Sequence, residues 1–165
     1  MTQQRFTCTP DTMVKGVTLF FWIGMLAGAA IVGTVAGALG ILQWLLVLLM
    51  LGTPLAVMAQ APRAYRIADG TLFVERLMGD IAVPMTAIAE VRGLEMADFG
   101  RMIRTFGSGG AHGYFGRFRS DKLGKLNFQA TRREGLVLVA RNDGAPALVL
   151  SPDDPAGLMA ALARR

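Results

Sequence analysis

Charge is what the first third of this sequence lacks. From Gly16 to Pro62 the chain runs 47 residues without one Asp, Glu, Lys, Arg or His. A helix that crosses a bilayer needs roughly 20 apolar residues, so the stretch has room for two. A core helix of a soluble domain would rarely exceed about 20 residues and would show a polar face. The polar exceptions here, Thr18, Thr34, Gln43, Thr53 and Gln60, are all uncharged. Cysteine is nearly absent too. A single Cys8 excludes an intramolecular disulfide, and it cannot build a metal site with the single His112. A lipoprotein cysteine follows the apolar region of its signal, whereas Cys8 precedes this one, so it reads as an ordinary free thiol in a short tail.

The first span is predicted over Val17–Leu39 and the second over Leu42–Ala59, within a helical unit of residues 17–60 that follows a short tail, 1–16. Gly40-Ile41 is almost no loop, which forces the helices antiparallel as a transmembrane hairpin. Arg5 and Lys15 precede the hairpin and Arg63 and Arg66 follow it, while its turn carries no charge. By the positive-inside rule both termini are cytoplasmic, in a multi-pass protein of the cell (inner) membrane. Phe20, Phe21, Trp22 and Trp44 sit where interfacial aromatic belts lie. Ala36-Gly37-Ala38 resembles a signal-peptidase site. The preceding apolar run of about 20 residues exceeds the usual 7–15 of an export signal, however, and a lead-in containing Asp11 fits poorly.

Glycine is plentiful and patterned. Gly24-xxx-Gly28 and Gly33-xxx-Gly37 set small residues four apart, a spacing that lets another helix approach closely. The second helix of the same hairpin and a copy from another chain both fit as partner, and the tethered helix has the higher effective concentration. The second helix is Leu-rich from Leu45 to Leu51, and Pro54 falls near one end of it.

From Tyr65 the texture changes to short β-prone runs. Tyr65–Ile67, Leu72–Val74 and Ile81–Val83 are separated by Asp69-Gly70, a strong hairpin signal, and by Gly79-Asp80. Further strands are predicted over Ile88–Glu95, Leu126–Thr131, Leu136–Ala140 and Ala147–Leu150. Ser151-Pro152-Asp153-Asp154-Pro155 then opens a helix over Ala156–Leu162 that ends on Arg164-Arg165, as its macrodipole favours. The class is an α+β membrane protein: a hairpin followed, over residues 63–165, by a small β-barrel or orthogonal sandwich capped by a C-terminal α-helix.

Arg104–Gly110 and Gly113–Phe118, with Leu123-Gly124, Gln129-Ala130-Thr131 and Val149–Asp153, resemble the bacterial pleckstrin-homology-like (PH-like) membrane proteins. The resemblance covers roughly 63–165 and implies two roughly orthogonal antiparallel sheets closed by a terminal helix. It implies no catalytic residue.

Gly107 to Gly116 holds five glycines in ten residues, flanked by Arg101, Arg104, Arg117, Arg119 and Lys122. One reading is an anion-binding loop in which the backbone of Gly107, Gly109 and Gly110 and the flanking cations meet a lipid or other phosphate. The other is a glycine-permitted loop whose Phe106, Tyr114, Phe115 and Phe118 pack on the β-structure or the bilayer. Gly107-x-Gly109 lacks the further glycine, the Gly-Lys-Ser/Thr and the βαβ context of a nucleotide loop. Asp98 groups with Arg101 and Arg104 as a solvated face. Glu90, Glu95 and Asp98 have no accompanying nucleophile or oxyanion pattern. The expected function is non-enzymatic binding or scaffolding at the cytoplasmic face, with anionic-lipid or phosphate sensing as the alternative. Membrane lipids and a membrane-protein partner or second copy are the expected partners. No nucleic acid, metal or cofactor is expected.

Overall fold

The computed structural model describes residues 3–34 and 40–164. Two long helices dominate the first third, α1 (Thr12–Thr34) and α2 (Ile41–Gln60). The Asp11 carboxylate caps α1 by accepting the Val14 N–H at 2.7 Å, so the helix begins five residues before the predicted span. Gly37 and the Ala36–Ala38 triplet lie outside the described residues. Gly28 faces α2, where a Cβ would stand 3.2 Å from the Met50 methyl, whereas Gly24 and Gly33 face open space. Near the turn, Gln43 Nε2 donates to the Gly33 carbonyl at 3.0 Å, and the Gln43 side chain is buried. Both helices are long and apolar enough to cross a membrane, and few of their residues are buried.

The β-structure forms two sheets. The first has the order β1-β2-β3-β4, all antiparallel: β1 (Gln4–Thr7), β2 (Ala64–Ala68), β3 (Thr71–Glu75) and β4 (Ile81–Pro84). The β2–β3 turn is the one expected, because Asp69 and Gly70 both take positive φ, 49° and 68°. The second sheet comprises β5 (Ile88–Leu94), β6 (Met102–Gly109), β7 (Tyr114–Ser120), β8 (Gly124–Ala130), β9 (Leu136–Arg141) and β10 (Ala147–Leu150), in the order β5-β9-β10-β8-β7-β6. Helix α3 (Pro155–Ala163) follows, capped by Asp154, whose carboxylate accepts the Gly157 N–H at 2.9 Å.

The ladders of the described residues form two sheets, the sandwich-like one of the two architectures expected. Two expectations change. The second sheet is mixed, because β10 lies parallel to β8 between it and β9. Leu148, Val149 and Leu150 are fully buried, and a strand apolar on both faces belongs in the middle of a covered sheet. Lastly, the segment read as a tail carries a strand: Gln4–Thr7 pairs with Ile67–Ala64.

The middle of the second sheet is covered on both faces. On one, Val137, Val139, Leu148 and Leu150 meet Tyr65, Leu72, Val74 and Val83 of the first sheet and Leu158 and Leu162 of α3. On the other, Leu136, Leu138 and Val149 pack with Phe99, Phe118, Leu126, Phe128 and Val14 of α1. Tyr65 ties the layers together: its hydroxyl donates to the Gln129 carbonyl at 2.6 Å and accepts the Ser151 N–H at 3.0 Å.

The approach to α1 is woven into this core. Asp153 accepts from the Thr7 hydroxyl at 2.6 Å and from the Thr9 N–H at 2.9 Å, and the Thr131 hydroxyl donates to the Thr9 carbonyl at 3.1 Å. Cys8, between them, is buried, and burial pushes its thiol up to about 11. The thiolate is the reactive form, so Cys8 of the full-length protein is expected to resist maleimide at pH 8 and to react fully once the chain is unfolded. Immediate labelling of the folded protein would show that β1 is not docked.

Candidate functional site

The glycine-rich stretch is a strand pair, not the open loop expected. β6 and β7 pair antiparallel from Met102↔Ser120 to Gly109↔Tyr114, with an irregularity between Arg104 and Phe106. Gly107 and Gly116 face each other in this ladder, with φ of 115° and 112°. A Cβ on Gly107 would collide with the Phe115 carbonyl oxygen, and one on Gly116 with that of Phe106. The two strands cross at a distance that only paired glycines permit. At the tip the Gly110 N–H donates to the Gly113 carbonyl at 3.1 Å.

That tip docks on α1. The His112 N–H donates to the Thr18 hydroxyl at 2.7 Å, and the Trp22 indole N–H donates to His112 Nε2 at 3.0 Å. Burial lowers the His112 pKa, which favours the neutral ring that this acceptor role requires. A Cβ on Gly110 would touch Val17.

The five predicted cations separate into three places. Arg117 and Arg119 are exposed on β7, alternating with buried Phe118 and Ser120. They line a groove of about 420 Å³ together with Thr105, Lys125, Asn127 and Pro146. Lys125 stands beside Arg119 because these residues are register partners of β7 and β8, as are Arg117 and Asn127. No carboxylate lines this groove, and among the described residues none of its three cations has an ion-pair partner. Arg104 instead borders a cleft of about 320 Å³ with Phe21, Val57, Gln60, Phe106 and Phe115, where the hairpin meets the helices. Its guanidinium lies against Gly109. Arg101 and Lys122 lie beyond the other end of the hairpin, where the Arg101 carbonyl accepts the Asp121 N–H at 3.1 Å and Lys122 Nζ reaches the Ala97 carbonyl at 3.3 Å.

Lys125, Thr105 and Asn127 were missed by sequence reasoning. For Lys125 and Asn127 the signal was the alternation along β8, which becomes informative only once β8 is known to pair with β7; Thr105 lies on β6, where its hydroxyl donates to the Arg117 carbonyl at 2.9 Å. The carboxylates serve the fold: Asp98 accepts the Glu95 N–H at 2.8 Å in a reciprocal capping box, and Glu90 pairs with Arg92 at 3.5 Å. No cluster of three metal-ligating side chains occurs among the described residues.

Residues 63–165, well over half of the sequence, match the family model described as a bacterial PH domain. The chain belongs to that family. The resemblance drawn from Arg104–Phe118 and the later strands is thereby borne out. PH-like domains are generally non-catalytic binding modules. No curated protein and no solved structure matches the chain.

The glycine crossing makes a direct prediction. Gly116→Ala puts a side chain into a conformation and a space that exclude it, and is expected to lower unfolding stability by about 2–3 kcal/mol. Gly93→Ala, in a strand with open space around it, is expected to be near neutral. Denaturant titration of both full-length variants in detergent checks the pair, and equal losses would contradict the close crossing.

Proposed function

We propose that the protein is integral to the bacterial inner membrane, that α1 and α2 cross it as a hairpin with both termini cytoplasmic, and that the PH-like domain is a non-enzymatic binding and scaffolding module at that face. The exposed apolar flanks of both helices support the membrane placement, because lipid is the solvent in which such surfaces are stable. Arg5, Lys15, Arg63 and Arg66 on the side of the domain support the orientation.

The observation that carries the binding role is the Arg117–Arg119–Lys125 groove, three cations without an ion-pair partner among the described residues, around a depression that Phe118, Leu126 and Pro146 also line and no acidic residue does. Guanidinium forks of this kind select carboxylate or phosphate. The occupant that fits the scaffold reading is an acidic segment of a membrane-protein partner. Anionic lipid is the second reading, favoured by Arg104 at the mouth of the apolar cleft between Phe21 and Val57, where a headgroup could meet the guanidinium. The open faces of Gly24 and Gly33 leave room for a second copy or a partner's helix.

Pull-down of the full-length protein from membranes in mild detergent, with mass spectrometry of proteins and lipids, tests these readings. The triple variant Arg117→Glu, Arg119→Glu, Lys125→Glu is expected to lose a co-purifying protein partner at least about tenfold, since a hydrogen bond between charged groups contributes about 1.5–3 kcal/mol. Undiminished recovery of that partner would remove the groove from the account. Loss of one enriched anionic lipid on Arg104→Glu, with the triple variant unaffected, would establish the lipid reading.

A further inference from the structure

The domain carries exposed apolar side chains at two places, the β3–β4 turn and strand β6, and both lie against the helices. At the first, the β3–β4 turn, Leu77 and Met78 are 51% and 60% exposed. The Met78 N–H donates to the Ala59 carbonyl at 2.8 Å, which fixes this turn against the last turn of α2. At the second, Phe106 is 67% exposed on β6 and borders the cleft formed with Phe21 of α1 and Val57 and Gln60 of α2. Single exposed apolar residues are ordinary on a soluble surface. What distinguishes these is their level along the helices.

The 20 residues of α2 rise about 1.5 Å each, or about 30 Å in all, which is the thickness of a bilayer's hydrocarbon core. With the Gly40 turn at one face of that layer, Gln60 lies at the other. Met78 is therefore held at the level where hydrocarbon gives way to headgroups. Phe106 shares that level, because Phe21 and Val57 border its cleft and Gly28 and Met50 face each other about two turns further into the hairpin. The charges nearby have the sign that a negatively charged leaflet attracts. Arg63 and Arg76 flank the first site, with Asp80 paired to Arg66 at 3.6 Å, and Arg104 stands beside the second.

From this we infer that the domain does not swing on its anchor but sits in the lipid surface, with Leu77, Met78 and Phe106 inserted into the headgroup layer of the membrane its helices cross. The occupant of both apolar sites is that layer itself. Burial of these side chains at about 5–10 Å into the headgroup–acyl boundary, together with the His112–Thr18 and His112–Trp22 bonds, gives the domain one fixed tilt. The inference rests on the membrane reading above, and its test separates the two.

Single cysteines are placed at Met78, at Phe106, at Leu48 in the middle of α2, and at Asn142. Asn142 is remote, since it bonds the Ala87 carbonyl beside the end of β4 that faces the Gly70 turn, at the opposite end of the first sheet from Met78. Each is carried by the full-length chain with Cys8→Ala, labelled with an environment-sensitive fluorophore, and reconstituted in phosphatidylcholine–phosphatidylglycerol vesicles containing spin-labelled lipid. The expected result is that shallow nitroxides quench sites 78 and 106 at least about twofold more than site 142, while deep nitroxides quench site 48. Sites 78 and 106 behaving like site 142, with site 48 still quenched, would overturn the seating and leave the membrane reading intact. Absence of quenching at site 48 would overturn both. A Leu77→Cys variant repeats the first tip, so that a defect peculiar to one label cannot decide the outcome.

Discussion

The ladder between β1 and β2 is the constraint on which the rest of the architecture depends. These strands flank the helical hairpin in sequence, and their pairing from Gln4↔Ile67 to Thr7↔Ala64 brings together the two points where the chain enters and leaves it. The helices are thus an excursion out of one sheet rather than an anchor joined by a linker. Around the ladder, Glu75 meets Arg5 at 2.8 Å and Arg66 at 3.1 Å, offsetting the two arginines that face each other across the strands. The carboxyl of Glu75 is held below its ordinary value chiefly by the bond from Arg5. That ion pair is therefore present above the usual glutamate range and weakens only as acid titrates the lowered carboxyl.

Once the base of the hairpin is closed, the other contacts between helices and domain follow at fixed positions. Asp11 caps α1 while its own N–H reaches the Thr131 carbonyl at 3.4 Å. Val14 is buried in the second core, the β6–β7 tip bonds Thr18 and Trp22, and the β3–β4 turn bonds Ala59. For the proposed binding role, rigidity at these junctions means that the groove of Arg117, Arg119 and Lys125 keeps one orientation to the helices and needs no further ordering cost to bind.

Local signals made much of this fold legible in advance. Asp69-Gly70 marks its turn because a type I′ hairpin demands positive φ at both positions, which Asp and Gly tolerate. Asp154-Pro155 marks α3 through its cap and the proline at the helix start, and the uncharged stretch marks both long helices. What stayed hidden depends on distant partners. Gln4–Thr7 is a strand only because β2 offers an edge beyond the whole hairpin. β10 becomes a central parallel strand only because β8 and β9 leave a gap that is apolar on both faces. Gly107 and Gly116 look like loop residues singly, and their meaning emerges only when they face each other. The same reason hid Lys125, whose place in the groove is set by its register with Arg119.

Hydrogen exchange on the full-length protein in lipid nanodiscs tests the central claim most directly. The account predicts that residues 4–7 exchange as slowly as residues 64–67, and that Phe6→Pro, which cannot pair in the ladder, speeds exchange in both segments together. Immediate exchange at residues 4–7 while residues 64–67 remain protected would contradict it, and would return the hairpin to the role of a simple tethered anchor.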